Sequence, residues 1–477
     1  MIESFIGLEI HIQLLTKTKV FCNCKNEFTH VPNSHVCPVC MGYPGVLPVL
    51  NEEAVRKAYI VCRAMNCHLN EKAVFDRKNY FYPDMPKNYQ ISQFNSPFGV
   101  RGLIEMEGVP KVRIHDAHLE EDAGKLVHEG MTSYCDYNRA GTPLLEIVTE
   151  PDFKKPEEAE LFMQNFRKMV RYLGVCDGNM EEGSMRCDVN VSVNFEGKGL
   201  GRKVEVKNLN SFRHVKLALQ YEIQRQSRMI TAGESVVQET RLWNDEKKRT
   251  EGMRSKENAN DYRYFPEPDL PPYCPTPEFL AQIEAAQVEL PWVRRRRFID
   301  QYGLNEDGAD FLTEEKDKAD FFENAVKGGI SVANAASWMR GEVAKDLNMA
   351  KDLNKAKKSL ADSFLTVEKF VKVIKLLEEE KINAQAAKKV MDIIINEDAD
   401  PMQVIEKEGL MQTADSGEVE AMVDKLLADN AKVVAQIKGG DQKPIGFLIG
   451  QLMKASGGKA DPKKARELIL NKISQLG

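Results

Sequence analysis

The chain of 477 residues contains no apolar run of about 18 residues, which excludes a membrane-spanning helix. Its N-terminal stretch, MIESFIGLEIHIQLL, carries acidic groups and no basic leader, so no secretory signal is read there. Three nucleotide or hydrolase signatures are also missing: G-x-x-x-x-G-K-[ST], a G-x-G-x-x-G following a strand, and G-x-S-x-G. Their absence removes the P-loop, the dinucleotide fold and the serine-hydrolase elbow, so any nucleotide chemistry needs a different cradle. There is no surplus of basic charge either. With 66 Lys and Arg against 72 Asp and Glu, the net charge of −6 argues against wrapping nucleic acid with the whole surface, while leaving room for a local basic face.

What is present fits an ordinary globular protein. Hydrophobic residues make up 42% and charged residues 29%, enough to bury a sizeable core, and the length suggests about two to four domains. Ten cysteines without a signal peptide point to a reducing, cytoplasmic compartment, with thiols free or bound to metal.

The densest chemistry lies in Ile114–Asp152. His115, Asp116, His118, Glu120, Glu121, Asp122 and Lys125 crowd into a dozen residues; Asp136 to Pro143 follows as a turn-rich polar run; Glu146 then interrupts the apolar LLEIV. A carboxylate in such a run needs a partner or a metal. The stretch reads either as acidic ligands for a metal-assisted reaction or as a solvated acidic loop.

Phe5 to Leu14 alternates, with Ile6, Leu8, Ile10 and Ile12 on one side and Gly7, Glu9, His11 and Gln13 on the other. This predicts a strand with one buried face, on which Glu9 and His11 are close enough to share a ligand or to stand side by side in solvent. Cys22 and Cys24, then Cys37 and Cys40, have metal-ligand spacing over the loop 22–40. Four thiolates suit a closed, structural zinc site, with His30 and His35 as substitutes for one sulfur; the bland alternative is four unrelated thiols. The other six cysteines lack paired spacing. The aromatic stretch from Phe75 to Gln93 either lines a polar passage, stacks a base, or packs its tyrosines on the core.

Further along, helices are expected over Asn51–Met65 and Lys155–Leu173, and from Asn210 or Ser211 to about Ile230, with strands near Arg186–Val193, Arg202–Lys207 and Val236–Trp243. Arg186, Asp188, Asn190 and Ser192 share one polar face; Lys203, Glu205 and Lys207 share another. From about Leu290 strand signals vanish. Helices are expected at 311–327, 331–348, 367–380 and 383–397, and the run Arg294–Arg297 either meets phosphate or, the favoured reading, is a solvated helix face. After a break at Asn396–Pro401 comes a last helical unit, whose Gly/Lys segments suit RNA phosphates or close helix packing.

Taken together, IGLEIHIQL, YPGVLPVLN, FDRKNYFYPDMPKNYQISQF, HLEEDAGK, DYNRAGTPLLEIVTEPD, MEEGSMRCDVNVSV, EVKNLNSF, DYRYFPEPDLPP and GFLIGQLMKASGGKADP resemble the B subunits of the bacterial glutamine-dependent aspartyl/glutamyl-tRNA amidotransferases, over essentially the whole chain. The resemblance implies an α+β chain: a β-rich cradle over 1–292, an all-α helical domain over 293–400, and a small all-α tail over 401–477 similar to the YqeY family. It implies a carbon–nitrogen ligase that works in a heterotrimer, with a glutaminase as its A subunit plus a small C subunit. Such an enzyme uses ATP and Mg²⁺ to phosphorylate the side-chain carboxylate of Glu-tRNA(Gln) or Asp-tRNA(Asn), and ammonia then displaces phosphate. On that resemblance Glu121 and Glu146 are expected to hold magnesium with His11 beside them, and Glu9 shares the strand face of His11. Glu120, Asp122, Asp188 and Glu205 stand next in line for metal or ammonium. Arg186, Lys203 and Lys207 are expected at ATP or acyl phosphate, Lys78 and Asn79 at the ammonia passage, and Lys443, Lys454 and Lys459 at tRNA. The competing reading is a tRNA-binding scaffold with catalysis elsewhere.

Overall fold

The structure, a computed structural model, describes residues 1–255, 259–349, 359–412, 416–438, 444–455 and 462–475. It divides into two compact units, Met1–Arg294 and Arg295–Gly477. The first is mixed α+β and the second helical, the α+β class expected from sequence.

The strands of the first unit are, in chain order, β1 (Ile2–Gln13), β2 (His68–Leu69), β3 (Asp76–Asn79), β4 (Tyr89–Ser92), β5 (Gly99–Ile104), β6 (Val112–Glu121), β7 (Lys125–Glu129), β8 (Thr132–Asp136), β9 (Pro143–Thr149), β10 (Met185–Phe195), β11 (Val204–Lys207), β12 (Glu239–Asn244), β13 (Arg249–Ser255) and β14 (Phe265–Pro266). Nine of them form one sheet in the order β13-β12-β11-β10-β1-β9-β6-β5-β2. All neighbours are antiparallel except β11 and β12. An antiparallel sheet can bury one face and leave the other wet. Here Ile6, Leu8, Ile10 and Ile12 of β1 are buried with Val189 and Val191 of β10 and Leu145 and Ile147 of β9.

Three helices belong to the same apolar core: α1 (Glu52–Ala64), α2 (Pro156–Tyr172) and α3 (Phe212–Thr231). Each starts where its sequence dictates. The Asn51 side chain accepts from the amides of Glu53 and Ala54, Pro156 occupies the first turn of α2, and Ser211 accepts from His214 N. Phe162 and Phe166 of α2 and Phe153 are fully buried there.

The stretch Ile114–Asp152 is not a loop. It is built of β6, the hairpin β7–β8, and β9. β6 also carries a bulge: its register with β9 slips between Ile114 and Asp116. Before the bulge Val112 and Ile114 face the core; after it Ala117 and Leu119 do. One extra residue inverts which parity is buried. Asp116, His118 and Glu120 therefore point to the open face, and Glu121 to the interior.

A smaller sheet, β14-β3-β4, ties Phe265-Pro266 to the aromatic stretch. Arg77 makes a bidentate pair with the buried Glu267 at 2.7 Å on both arms, and its guanidinium lies 4.3 Å over the Tyr89 ring.

In the second unit, one apolar cluster is centred on Phe298, Phe322, Phe370 and Val390, and another on Val423, Leu448, Leu452 and Ile469. The helix expected over 311–327 is two. Glu306–Leu312, capped by Asn305, ends at Thr313, and Lys316–Lys327 begins afresh. The helix expected over 331–348 contains a π turn at Met339–Val343, with Trp338, Met339 and Val343 all buried. The four-arginine run is ion-paired: Arg294 to Glu289, Arg295 to Asp310, Arg296 to Asp300 and Arg297 to Glu323. Arg294 is buried rather than solvated.

Gly102 of β5 lies opposite Ile114, at the bulge, and directly under the end of α1. A Cβ there would sit 2.6 Å from Cys67 Sγ and 2.8 Å from the Met65 carbonyl oxygen, and the latter is backbone that cannot swing aside. Gly102→Ala is expected to destabilise the chain by about 1–3 kcal/mol through overpacking. A urea midpoint within error of the parent would refute that account of the close approach.

Candidate active site

The open face of the large sheet carries a row of ionisable side chains that crosses four strands. On β1, His11 is in register with Glu146 of β9 and Arg186 of β10; on β6, His118 is in register with the same Glu146. One step along, Glu9 faces Asp188, and a further step places Asn190 against Glu205 of β11. Residues in register across an antiparallel sheet share a face and stand close enough to touch. Strand pairing alone thus assembles a basin from five strands far apart in sequence.

Within it, His11 Nε2 lies 3.1 Å from Glu146 Oε2 and 3.8 Å from Glu9 Oε1. His118 Nε2 lies 3.5 Å from Glu146 Oε2 and 3.9 Å from Glu120 Oε2, while its Nδ1 meets Asp116 Oδ1 at 2.7 Å. Three sets of donor atoms converge closely enough to hold a cation: Glu9, His11 and Glu146; His118, Glu120 and Glu146; and Glu9, Asp188 and Glu205. Ser92 Oγ donates to Glu120 at 3.2 Å, and Thr240 Oγ1 donates to Glu205 at 2.8 Å.

The electrostatics are those of crowded carboxylates. Burial, reinforced by the charge of Glu146, pushes Glu9 up to about 7, against the pull of His11 and Lys207. Burial alone would discharge His11, but Glu146 outweighs it and the imidazole rises to about 9. His118 is raised in the same way, by Glu146 and Asp116 against burial. Glu146 is held well below the usual carboxylate range, because His118 and His11 overcome its desolvation. A basin with this much negative charge draws positive charge to itself, and here the imidazoliums supply it.

Cations rim the basin. Lys207 Nζ pairs with Asp188 at 2.6 Å and reaches Glu205 at 3.5 Å. Arg186 pairs with Asp122 at 2.9 Å, where Gln13 also donates at 2.8 Å. Burial opposes the charge on Asp122, yet Arg186 and Arg139 hold its carboxyl low. Lys78 of β3 lies 5.0 Å over the ring of Tyr262; its ammonium is raised against burial, chiefly by Glu120. Asn79 is occupied with backbone, donating to the carbonyl of Arg263 at 2.9 Å.

Of the residues expected from sequence, the structure brings together Glu9, His11, Glu120, Glu146, Asp188 and Glu205. Glu121 is not among them. It lies on the interior face, where Lys87 pairs with its Oε1 and the Ile91 amide donates to the same oxygen at 2.9 Å. The bulge is the reason, and Glu120 takes the place expected for Glu121. Asp122 is tied to Arg186 at the rim. Lys203 is exposed just before β11. His118 and its partner Asp116 were not singled out from sequence as site residues. Their signal was the alternation Asp116-x-His118-x-Glu120, a strand pattern set inside an apparent loop. Lys443 and Lys459 lie outside the described residues, and Lys454 belongs to the helix Ile445–Ala455.

The loop 22–40 gathers its four cysteines as a separate centre. The sulfurs of Cys22, Cys24, Cys37 and Cys40 all lie within 4.8 Å of one another, and His30 and His35 are not in the group. Cys40 is pulled down to about 4, first by its hydrogen bond with Cys22 and further by the Cys37 amide and the charge of Lys19, against burial. Burial and Cys37 push Cys24 up to about 11. The buried Lys19 ammonium stands 3.7 Å from Cys40 Sγ. The remaining cysteines are all free thiols.

Two family profiles match the chain: the GatB/GatE catalytic domain over residues 4–281, and the GatB domain over residues 320–473. Similarity to individual proteins is equally broad. The B subunit of the aspartyl/glutamyl-tRNA(Asn/Gln) amidotransferase of Carboxydothermus hydrogenoformans is 46% identical, with 99% of both chains aligned. That of Alkalilimnicola ehrlichii is 47% identical, again over 99% of each. That of Acaryochloris marina is 44% identical over 99% of this chain and 97% of its own. On the strength of these matches, which run through both units and carry the basin strands with them, the chain belongs to the GatB family of tRNA-dependent amidotransferase B subunits.

Proposed function

We propose that the open face of the large sheet activates and amidates the side-chain carboxylate of Glu-tRNA(Gln) or Asp-tRNA(Asn), as the B subunit of a cytoplasmic complex with two further chains, a glutaminase and a small third protein. The observation that carries this reading is the row His118–Glu146–His11–Arg186, assembled by strand register in a chain of this family. A carboxylate is a poor acylating agent because oxide is a poor leaving group. ATP with magnesium supplies the remedy, a phosphoryl group for the carboxylate and a cation to neutralise the charge that develops during its transfer.

The donor set fits such a cation. Glu146, Glu120 and Glu9 offer hard oxygens, and magnesium prefers oxygen and retains waters. His11 and His118 flank Glu146 and orient it, or complete the shell with an imidazole nitrogen. Arg186 and Lys207, each tethered by an aspartate, present positive charge to phosphate oxygens at the rim. Lys78, beside Glu120 and under Tyr262, lines the approach for ammonia. A polar approach suits ammonia, since ammonia released to bulk water at neutral pH becomes ammonium and loses its nucleophilic pair. The Gly/Lys segments of the tail are assigned to the body of the tRNA, and the four-cysteine centre to structural zinc.

Two measurements test these assignments. In the first, Mn²⁺ replaces Mg²⁺ as a spectroscopic probe of the purified complex. Glu120→Gln and Glu146→Gln are expected to weaken Mn²⁺ by roughly 10–100-fold and to abolish amidation of Glu-tRNA. Glu121→Gln is expected to leave Mn²⁺ affinity intact and instead to lower stability by about 3–5 kcal/mol, because it strands a buried Lys87. The reverse pattern would restore Glu121 to the metal. In the second, elemental analysis is expected to find about one zinc per chain, lost together with the fold of the loop in Cys37→Ser. Zinc-free protein with four titratable thiols in that loop would sink the assignment.

A further inference from the structure

An aminoacyl ester ties the side-chain carboxylate to a ribose through a few bonds. A carboxylate seated at Glu146 therefore fixes the terminal nucleoside within the reach of about two extended residues, roughly 7 Å. One groove of ligand size shares a lining residue with the basin. It runs along β5 and β6 and has a volume of about 530 Å³, within the range of small-ligand sites. Asp116 is the shared residue: it lines the groove and meets His118 Nδ1 at 2.7 Å. Phe94 lines the groove as well. Its ring stacks on Tyr264 at 4.3 Å with the planes 10° apart, and Tyr264 belongs to the aromatic set around Lys78. A second groove of similar volume, at Asn51–Arg56, shares no residue with the basin.

The chemistry of the groove suits a nucleoside. Phe94 is 50% exposed, so a stacked aromatic pair presents ring surface to the groove. Arg101, exposed on β5, makes no ion pair among the described residues and stands on the rim as an uncommitted guanidinium. An aromatic platform beside a free cation is the usual means of holding an unpaired nucleotide. We propose that this groove takes the 3′-terminal adenosine of the aminoacyl-tRNA, its base extending the Phe94–Tyr264 stack and its phosphate meeting Arg101. The assignment rests on the function proposed above. The adenosine of ATP is the rival occupant, but only the tRNA terminus is covalently bound to remain beside Glu146.

The test uses the assembled complex and two misacylated tRNAs, one ending in adenosine and one ending in an abasic ribose. With the adenosine-ended substrate, Phe94→Ala is expected to lower kcat/KM roughly 5–100-fold, mainly through KM, and Phe94→Trp to restore it. With the abasic substrate, the parent enzyme is expected to show a similar loss and Phe94→Ala none beyond it. Equal losses on both substrates, or a raised KM for ATP with that for tRNA unchanged, would overturn the proposal. A measurement on the unaltered chain guards against a variant that misfolds. tRNA ending in 8-azidoadenosine is expected to photolabel the peptide from Gln93 to Gly102, and labelling elsewhere counts against the groove. If the parent complex amidates neither Glu-tRNA nor Asp-tRNA, the broader function is what fails.

Discussion

A charge on the interior face of a sheet is stripped of water and costs several kcal/mol unless a partner meets it there. With side chains alternating at every residue, each strand is forced to decide which parity carries its ionisable groups. In β1, β9 and β10 the decision is clean: Glu9, His11, Glu146, Arg186 and Asp188 go to the open face, with apolar neighbours between them inward. β6 cannot do this with a regular ladder, because Val112 and Ile114 demand one parity and Ala117 and Leu119 the other. The bulge reconciles them, and in doing so it delivers Asp116, His118 and Glu120 to the basin. The residue left on the wrong side, Glu121, is tolerated because the Lys87 ammonium and the Ile91 amide meet its carboxylate, while the Gln90 side chain holds its backbone carbonyl.

Five ionisable groups at separations of about 3–4 Å attract as well as repel: His11 and His118 hold Glu146 charged and are held charged by it, while burial and the charge of Glu146 push Glu9 up. A stretch of sheet selected for stability alone would place threonine or valine at these positions. The stability of this unit comes instead from the other face, where β1, β9, β10 and three helices bury a continuous apolar core. The two faces are thus inseparable: the dry side supplies the rigidity that holds unfavourable neighbours together on the wet side.

Much of this was legible in the sequence, and for physical reasons. The alternation of IGLEIHIQL announces a strand and places Glu9 beside His11; C-x-C and C-x-x-C announce a four-sulfur centre; Asn51 and Ser211 announce helix starts. The assignment of Glu121 to the basin came from family resemblance, and the sequence marks its correction only faintly, as an apolar parity that changes between Val112/Ile114 and Ala117/Leu119. A β6 register carried on from Val112 and Ile114 predicts Glu121 outward and Glu120 inward, the opposite of what forms. The break at Thr313 falls at the polar run Thr313–Lys318, which is a signal the expected helix over 311–327 passed over, whereas the π turn at Met339 sits in a pattern that stays apolar through Trp338, Met339 and Val343.

The four-cysteine loop lies away from the basin ligands, yet it bears on them through a chain of backbone contacts. Asn33 at its tip donates its amide to Asp136 at 3.0 Å and accepts from the amide of Tyr137 at 2.8 Å, while Asn138 accepts from the His35 amide at 2.8 Å. Lys19, which stands at Cys40, also donates to the Tyr137 carbonyl at 3.2 Å. The segment fixed in this way runs directly into Arg139, which grips the carbonyls of Ala123 and Gly124 at 2.9 and 2.8 Å, and into Gly141 and Thr142, which exchange backbone hydrogen bonds with Asp122. Asp122 in turn anchors Arg186 and Gln13. The order of the four-cysteine loop is therefore tied through these contacts to the end of β6 and to the rim arginine, although the four sulfurs form a group separate from the basin's donors.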